Sequence, residues 1–287
     1  MSPSDRNPRT GCPVTRQESW IARLRAAGVP DAAGDFRRIF RWACDTGTTD
    51  SGPQVREDPG ALALRMLEFG VSERETRRPL SQIIGKREFW KGTFKVTHDV
   101  LDPRPETELL VELGLQEPFA RVLDLGTGSG CVVISLLMER PNARGVGTDI
   151  SKRALRVARE NAESMGVAER VILPVSDWFD DVDGRYDLVV SNPPYVASEE
   201  IGDLPPEVRC HEPRVALAGG IDGLSAYRAI AAGARKHLTP GGRLLVEIGP
   251  AQADGVRSLM ADAGLDILAV HADLDGRDRV VAARNSA

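Results

Sequence analysis

The stretch Arg121-Val122-Leu123-Asp124-Leu125-Gly126-Thr127-Gly128-Ser129-Gly130 decides how the rest of the chain is read. Its apolar start has the length of a short buried strand. The glycines that follow permit a tight turn in which backbone comes close to a ligand. Residues 130–140 then carry a helical period, so strand, glycine turn and helix open a β/α unit. The same alternation continues downstream. Strands are expected at 121–124, 145–148, 171–174, 188–190, 243–248, 267–270 and 279–282, and helices near 130–140, 151–165, 224–238 and 251–263. Such alternation means a parallel sheet covered by helices on both faces. The last two strands are joined by residues 272–278 alone, too few for a crossover helix, so they must pair antiparallel. The expected fold class is α/β: a seven-stranded, doubly wound, Rossmann-like sheet whose last strand runs antiparallel, with a hairpin at one edge.

Upstream of this unit the texture differs. Residues 1–16 are rich in Pro, Arg, Ser and Thr and are expected to be disordered. Residues 17–79 read as a small helical domain. Trp20, Ile21 and Leu24 share one helical face, stopped by Gly28-Val29-Pro30. Phe36, Ile39, Phe40 and Ala43 repeat the spacing up to Gly47, a polar loop follows over 46–60, and a third helix over 61–69 is expected to end at Gly70. No ligand-type constellation occurs there, which points to packing or docking. Residues 80–100 read as a β-hairpin linker, with aromatic and β-branched residues on either side of Lys91-Gly92. Residues 101–287 hold the sheet.

Composition narrows the function classes. The 287 residues are 41% hydrophobic and 28% charged with a net charge of −5, ordinary for a globular protein and without the basic field of a nucleic-acid binder. Cys12, Cys44, Cys131 and Cys210 stand far apart with no CxxC pair, so neither a zinc site nor a disulfide framework is expected. His98, His211, His237 and His271 show no ligand spacing and are assigned to the surface or to loops; no metal is expected. There is no 18-residue apolar run and no signal-like N-terminus, so a cytoplasmic location without membrane contact is expected.

Candidate site residues fall at consecutive strand tips. The turn Gly126, Thr127, Gly128, Ser129 and Gly130 has the spacing G-x-G-x-G with no following Lys, which excludes a P-loop. Asp149 ends the second strand, where a carboxylate can take both ribose hydroxyls of an adenosine. Asp177-Trp178 follows the third; a carboxylate there can accept from the adenine amine while the ring lies on the base. Together these describe an adenosine site. Both NAD and S-adenosylmethionine contain adenosine, and the fourth strand separates them. Its tip is Asn192-Pro193-Pro194-Tyr195. Two prolines end the strand and hold Asn192 extended. Nothing there suits hydride transfer, whereas an Asn amide and a Pro carbonyl suit a substrate –NH2.

On these residues the chain resembles the class I S-adenosylmethionine-dependent methyltransferases. More closely, it resembles the peptide chain release factor glutamine methyltransferases. The likeness runs through Pro79-Leu80, Ile83-Ile84-Gly85, Phe94-Lys95-Val96, Pro103-Arg104-Pro105-Glu106-Thr107-Glu108, the glycine turn and Asn192-Pro193-Pro194-Tyr195. It continues in Glu212-Pro213, Gly219-Gly220, Asp222-Gly223-Leu224, Glu247-Ile248-Gly249 and Gly276 with Asp278-Arg279. The resemblance implies S-adenosyl-L-methionine as methyl donor, S-adenosyl-L-homocysteine as product, and a release factor as protein partner, methylated on the glutamine amide of its Gly-Gly-Gln motif. In that reading the Asn192 oxygen and the Pro193 carbonyl accept the two amide N–H bonds, Tyr195 packs on the glutamine's aliphatic part, Pro194 stiffens the turn, and Asn192 also borders the cofactor. The segment from Arg104 to Glu108 is expected near the substrate, and the Glu212 and Gly219–Gly223 stretches at the mouth of the site. Two alternatives are methylation of a base amine in RNA or DNA, disfavoured by the acidic balance, and a silent adenosine-binding scaffold, disfavoured by the intact Asn-Pro-Pro-Tyr.

Overall fold

The computed structural model describes residues 14–48 and 59–286. It divides into two compact units. One takes in the chain up to Gly85 together with Pro206–His211; the other holds Lys86–Pro205 and Glu212–Ala287.

The first unit is helical: α1 (Val14–Ala26), α2 (Ala32–Thr48), α3 (Pro59–Glu75), α4 (Leu80–Ile84) and the six-residue helix Pro206–His211. Trp20, Leu24, Phe36, Ile39, Leu67 and Val71 are its core, with Trp20 stacked on Phe36 at 5.9 Å between ring centroids. Gly70 was expected to end α3, but the helix runs past it. A side chain there would meet Ile39 Cγ2 at 2.5 Å, so the glycine permits α2 and α3 to pack closely rather than stopping the helix. The start of α1 at Val14 falls inside the stretch expected to be disordered; residues 1–13 lie outside the described part, as does most of the expected 46–60 loop. Residues 80–84, expected within the hairpin linker, are helical instead, with Gly85 as a left-handed cap. A buried Arg74 joins Asp35 at 2.8 Å and Glu207 at 3.0 Å, and Arg77 meets Glu207 at 2.7 Å, which secures the helix Pro206–His211 in this unit.

The second unit opens with the hairpin β1 (Lys86–Phe89) and β2 (Gly92–Lys95). A 3-10 turn at Pro105–Thr107 leads into α5 (Glu108–Leu115). There follow β3 (Arg121–Leu125), α6 (Cys131–Glu139), β4 (Arg144–Thr148), α7 (Lys152–Ser164), β5 (Val171–Ile172) and β6 (Tyr186–Ser191). Past the helix Pro206–His211, α8 in chain order, come α9 (Ser225–His237), β7 (Leu238–Glu247), α10 (Ala253–Asp262), β8 (Asp266–Ala272) and β9 (Asp278–Arg284). The sheet order is β5-β4-β3-β6-β7-β9-β8, parallel from β5 to β7. As expected, the last strand is antiparallel. The expected hairpin of the last two strands forms one edge of the sheet, with β9 inserted between β7 and β8 and antiparallel to both.

The period of two along each strand sorts side chains to two cores. Val122, Leu188, Val190 and Leu245 join Leu110, Val133, Leu136 and Leu137 of α5 and α6. Leu123, Leu125, Val189, Leu244 and Val246 join Tyr227, Ile230, Val256 and Met260 of α9 and α10. Among the described residues no helix is long and apolar enough to cross a membrane. His237, assigned to the surface, is instead buried. Its ring stacks on Phe179 at 4.6 Å, and its nitrogens meet the carbonyls of Gly233 and Val182 at 3.0 and 3.2 Å.

Candidate active site

In sequence the chain lays down β3, β4 and β5 outward, then returns to set β6 on the other side of β3. Ligand crevices of open α/β sheets form at the carboxyl ends of strands at such a reversal. Here Leu125 pairs with Ser191 and Ser191 with Val246, and Gly126, Asn192 and Glu247 each follow directly on these paired strand ends. A cavity of about 350 Å³ opens at these tips.

Its first wall is the glycine turn. Gly126 and Gly128 have φ of +69° and +56°, and a Cβ on either would meet no atom within 4 Å. The turn therefore borders open space that a ligand can fill, which is what a nucleoside cradle requires. Thr127 anchors it: its N–H donates to the Thr148 carbonyl at 2.7 Å and its hydroxyl to Asp124 Oδ2 at 2.7 Å. Asn161, 1% exposed, donates to the Ser129 carbonyl at 2.9 Å while exchanging hydrogen bonds with the backbone of Lys95, so β2 braces the turn from behind. Asp149 at the end of β4 accepts from the N–H groups of Gly128 at 3.0 Å and Ser151 at 2.8 Å. Burial raises the pKa of its carboxyl, and those two bonds oppose the rise. Asp177 is exposed at the rim. Trp178, half-buried beside it, holds a left-handed backbone with φ of +48°, kept there as the Ser176 hydroxyl donates to its carbonyl at 3.1 Å.

Gly126, Thr127, Gly128, Ser129, Asp149, Asp177, Trp178, Asn192 and Pro194 all line the cavity. Gly130, Pro193 and Tyr195 are not among its lining residues; Pro193 is buried and Tyr195 half-buried. The Asn192 amide donates from Nδ2 to Thr107 Oγ1 at 3.0 Å, which leaves Oδ1 as its accepting end. Of the Arg104–Glu108 segment, Arg104 and Thr107 border the cavity. Glu108 faces the hairpin and accepts the Trp90 N–H at 2.8 Å. Arg104 donates from Nη2 to both oxygens of Glu212, at 2.6 and 2.8 Å.

Pro213, Val215, Ala216 and Ala218 also line the cavity. The nearby glycines are dictated by the Asn-Pro-Pro-Tyr backbone. A Cβ on Gly219 would lie 2.9 Å from the Pro194 carbonyl oxygen, and one on Gly223, at φ +72°, 2.5 Å from that of Tyr195. Gln252 completes the support, donating to the Tyr195 carbonyl at 2.9 Å and accepting the Gly249 N–H at 3.0 Å. Sequence reasoning missed Gln252, Asn161 and the contact of Thr107 with Asn192, because each depends on pairing between segments distant in the chain.

Comparison with known proteins agrees with this geometry. Residues 92–204 match the family model of the methyltransferase small domain. A release factor glutamine methyltransferase of Cereibacter sphaeroides is 52% identical over 264 residues, covering 92% of this chain and 95% of that protein. The chain belongs to the release factor glutamine methyltransferase family. A second family member, from Rhodospirillum rubrum, is 42% identical over 92% of this chain and 82% of its own. The fold also matches a crystal structure of a methyltransferase from Pyrococcus furiosus with a TM-score of 0.53, at 16% identity, over 68% of this chain and 89% of that one.

Proposed function

We propose that the protein transfers a methyl group from S-adenosyl-L-methionine to the side-chain amide nitrogen of the glutamine in the Gly-Gly-Gln motif of peptide chain release factors, leaving S-adenosyl-L-homocysteine. The observation that carries this reading is the Asn192 amide: pinned through Nδ2, at the rim of an adenosine-sized cavity, with its oxygen left to accept. Bound at the glycine turn, the donor supplies a methyl group already activated by its sulfonium charge, so the protein's task is position and electrostatics.

Gly126 and Gly128 give backbone room for the nucleoside, Asp149 accepts from the ribose hydroxyls, and Asp177 with Trp178 takes the adenine. An amide nitrogen is a poor nucleophile because its lone pair is delocalised into the carbonyl. Asn192 Oδ1 and the Pro193 carbonyl accept its two N–H bonds, aim the nitrogen, and favour its pyramidal form as positive charge develops. Pro194 keeps the slot rigid, and Tyr195 packs against the glutamine chain. The proton leaves to water after transfer. A cytoplasmic location follows from a substrate that works in translation.

The test is transfer of labelled methyl to purified release factor, to the same factor with its Gly-Gly-Gln glutamine changed to alanine, and to RNA. Label is expected on the first alone. Label on RNA, or on the glutamine-free factor, would sink the reading.

A further inference from the structure

We infer that Gln252, at the start of α10, is a positioning residue for the reaction: it fixes the peptide unit that follows Asn192-Pro193-Pro194 and so sets where the acceptor slot stands. The inference rests on the glutamine-amide reading above.

An amide side chain has two protons to give and one oxygen with which to accept. Gln252 donates from Nε2 to the carbonyls of Tyr195 at 2.9 Å and Gly223 at 3.2 Å, and its Oε1 accepts the Gly249 N–H at 3.0 Å. The Tyr227 hydroxyl lies 3.3 Å from the same oxygen, although its one proton also has the Glu247 carbonyl at 3.0 Å. Backbone carbonyls only accept and a backbone N–H only donates, so this amide has a single orientation. Its base is firm. The Gln252 N–H donates to the Gly249 carbonyl at 3.0 Å, and the Gln252 carbonyl accepts from the Val256 N–H at 3.0 Å. Val256 and Met260 then set α10 into the core.

What Gln252 holds is the peptide unit between Tyr195 and Val196. The carbonyl of that unit bonds Gln252, and its N–H donates to the Leu217 carbonyl at 2.9 Å, so the plane is fixed from both sides. Just before it, Pro193 and Pro194 have no N–H to donate and their φ angles are locked. Few soft torsions therefore separate the Tyr195 carbonyl from the Pro193 carbonyl, and a shift of one is carried to the other. Among the described residues no other side chain bonds the backbone of residues 192–195. The two glycines beside Gln252 show how closely the fit is drawn. A Cβ on Gly223 would meet Gln252 Nε2 at 2.6 Å, and one on Gly249 would meet Oε1 at 3.0 Å and Tyr195 Cδ2 at 3.3 Å. Gln252 itself does not border the cavity, so its action runs through the backbone it holds.

The experiment compares the full chain with Gln252→Leu, Gln252→Glu and Tyr227→Phe. Leucine keeps the volume without the hydrogen bonds, and glutamate keeps the shape but turns an accepting oxygen on the two carbonyls. Phenylalanine removes a hydroxyl from the same cluster and leaves the Tyr195 carbonyl bonded. The readings are kcat on release factor, the calorimetric Kd for S-adenosyl-L-homocysteine, and hydrogen exchange at the Val196 and Thr127 amides. In both Gln252 variants kcat should fall about ten- to hundredfold, the effect of misplacing a reacting group by about 1 Å. The Kd should stay within about twofold, because the glycine turn is untouched. Val196 should exchange about tenfold faster, while Thr127, whose N–H is bonded to the Thr148 carbonyl, should not change. Tyr227→Phe should keep kcat within about twofold. Wild-type kcat in either Gln252 variant overturns the inference, as do a Kd that weakens in step with kcat, unchanged Val196 exchange, or an equal loss in Tyr227→Phe. Binding and exchange need no release factor. Failure of the wild type to methylate it would therefore fall on the substrate reading, while exchange at Val196 still decides whether Gln252 fixes the slot.

Discussion

Two buried carboxylates stand near the carboxyl ends of β3 and β7, the strands on either side of β6. Asp124, one residue from the end of β3, accepts from the Thr127 hydroxyl at 2.7 Å; Glu247, the last residue of β7, has an Oε2 with no hydrogen-bond partner among the described residues. Burial pushes both up to about 7. Burial acts alike on both, yet what stands around each differs. Thr127 belongs to the glycine turn, and Asp124 itself borders the cavity, so that pair fixes the turn. Glu247 does not border the cavity; beside it in the sheet is β6, whose following residue Asn192 does, with its amide donating to Thr107 from a turn distant in the chain.

The comparison can be broken first at Asn192. Asn192→Ala should cut turnover about a hundred- to thousandfold, the range for removing one oriented polar group at a reacting centre, while cofactor affinity changes only a few-fold. Calorimetric titration of the cofactor beside steady-state kinetics checks this. Cofactor affinity lost in parallel with turnover would mean that the two ends are not separate. Asp149→Ala addresses the cradle. The cofactor KM should rise about tenfold or more, with kcat at saturating cofactor changed much less, because charge-assisted hydrogen bonds to a ligand contribute about 1.5–3 kcal/mol. Gly223→Ala sharpens the acceptor side. A side chain at φ +72° pressed to 2.5 Å from the Tyr195 carbonyl must displace the Asn-Pro-Pro-Tyr backbone. Stability should fall by about 1–3 kcal/mol in a urea titration, and kcat should fall more than the cofactor KM rises.

The smallest effect concerns Asp124 and is read in stability alone. Its carboxyl is about 7 in the folded chain against an ordinary 3.8, so between those values the native state holds a proton that the unfolded chain has released. Stability contributed there is greatest below 3.8 and is lost as pH rises toward 7. Asp124→Asn removes this dependence, so urea midpoints at acidic and alkaline pH should differ less in the variant than in the wild type. An unchanged difference would show that Asp124 does not titrate in that window.

Much of the sheet was legible because apolar runs, glycine turns and helical periods recur in chain order. The strand at 121–124, the antiparallel last strand and the strand-tip positions of Asp149 and Asn192 all follow from such local signals. Gly70 shows where those signals stop. In one dimension a glycine after an apolar helix reads as a stop, and only the proximity of Ile39 reveals that it is a packing contact. His237 is similar: a lone histidine without ligand spacing looks like surface until Phe179 is seen stacked on it. In the site, Gly126 and Gly219 are the same residue type in similar company, yet one borders open space and the other presses on a carbonyl.

By itself, then, the sequence determined the β/α order, the cradle and the rigid Asn-Pro-Pro-Tyr tip, since these depend on residues within a few positions of one another. The tertiary structure alone decided that β9 enters the sheet beside β7, that Gln252 holds the Tyr195 carbonyl, and that Thr107 meets the Asn192 amide. Those contacts join residues tens of positions apart. Hydrogen-bond direction and burial at such a meeting point are properties of all the segments together, and no one of them carries the information alone.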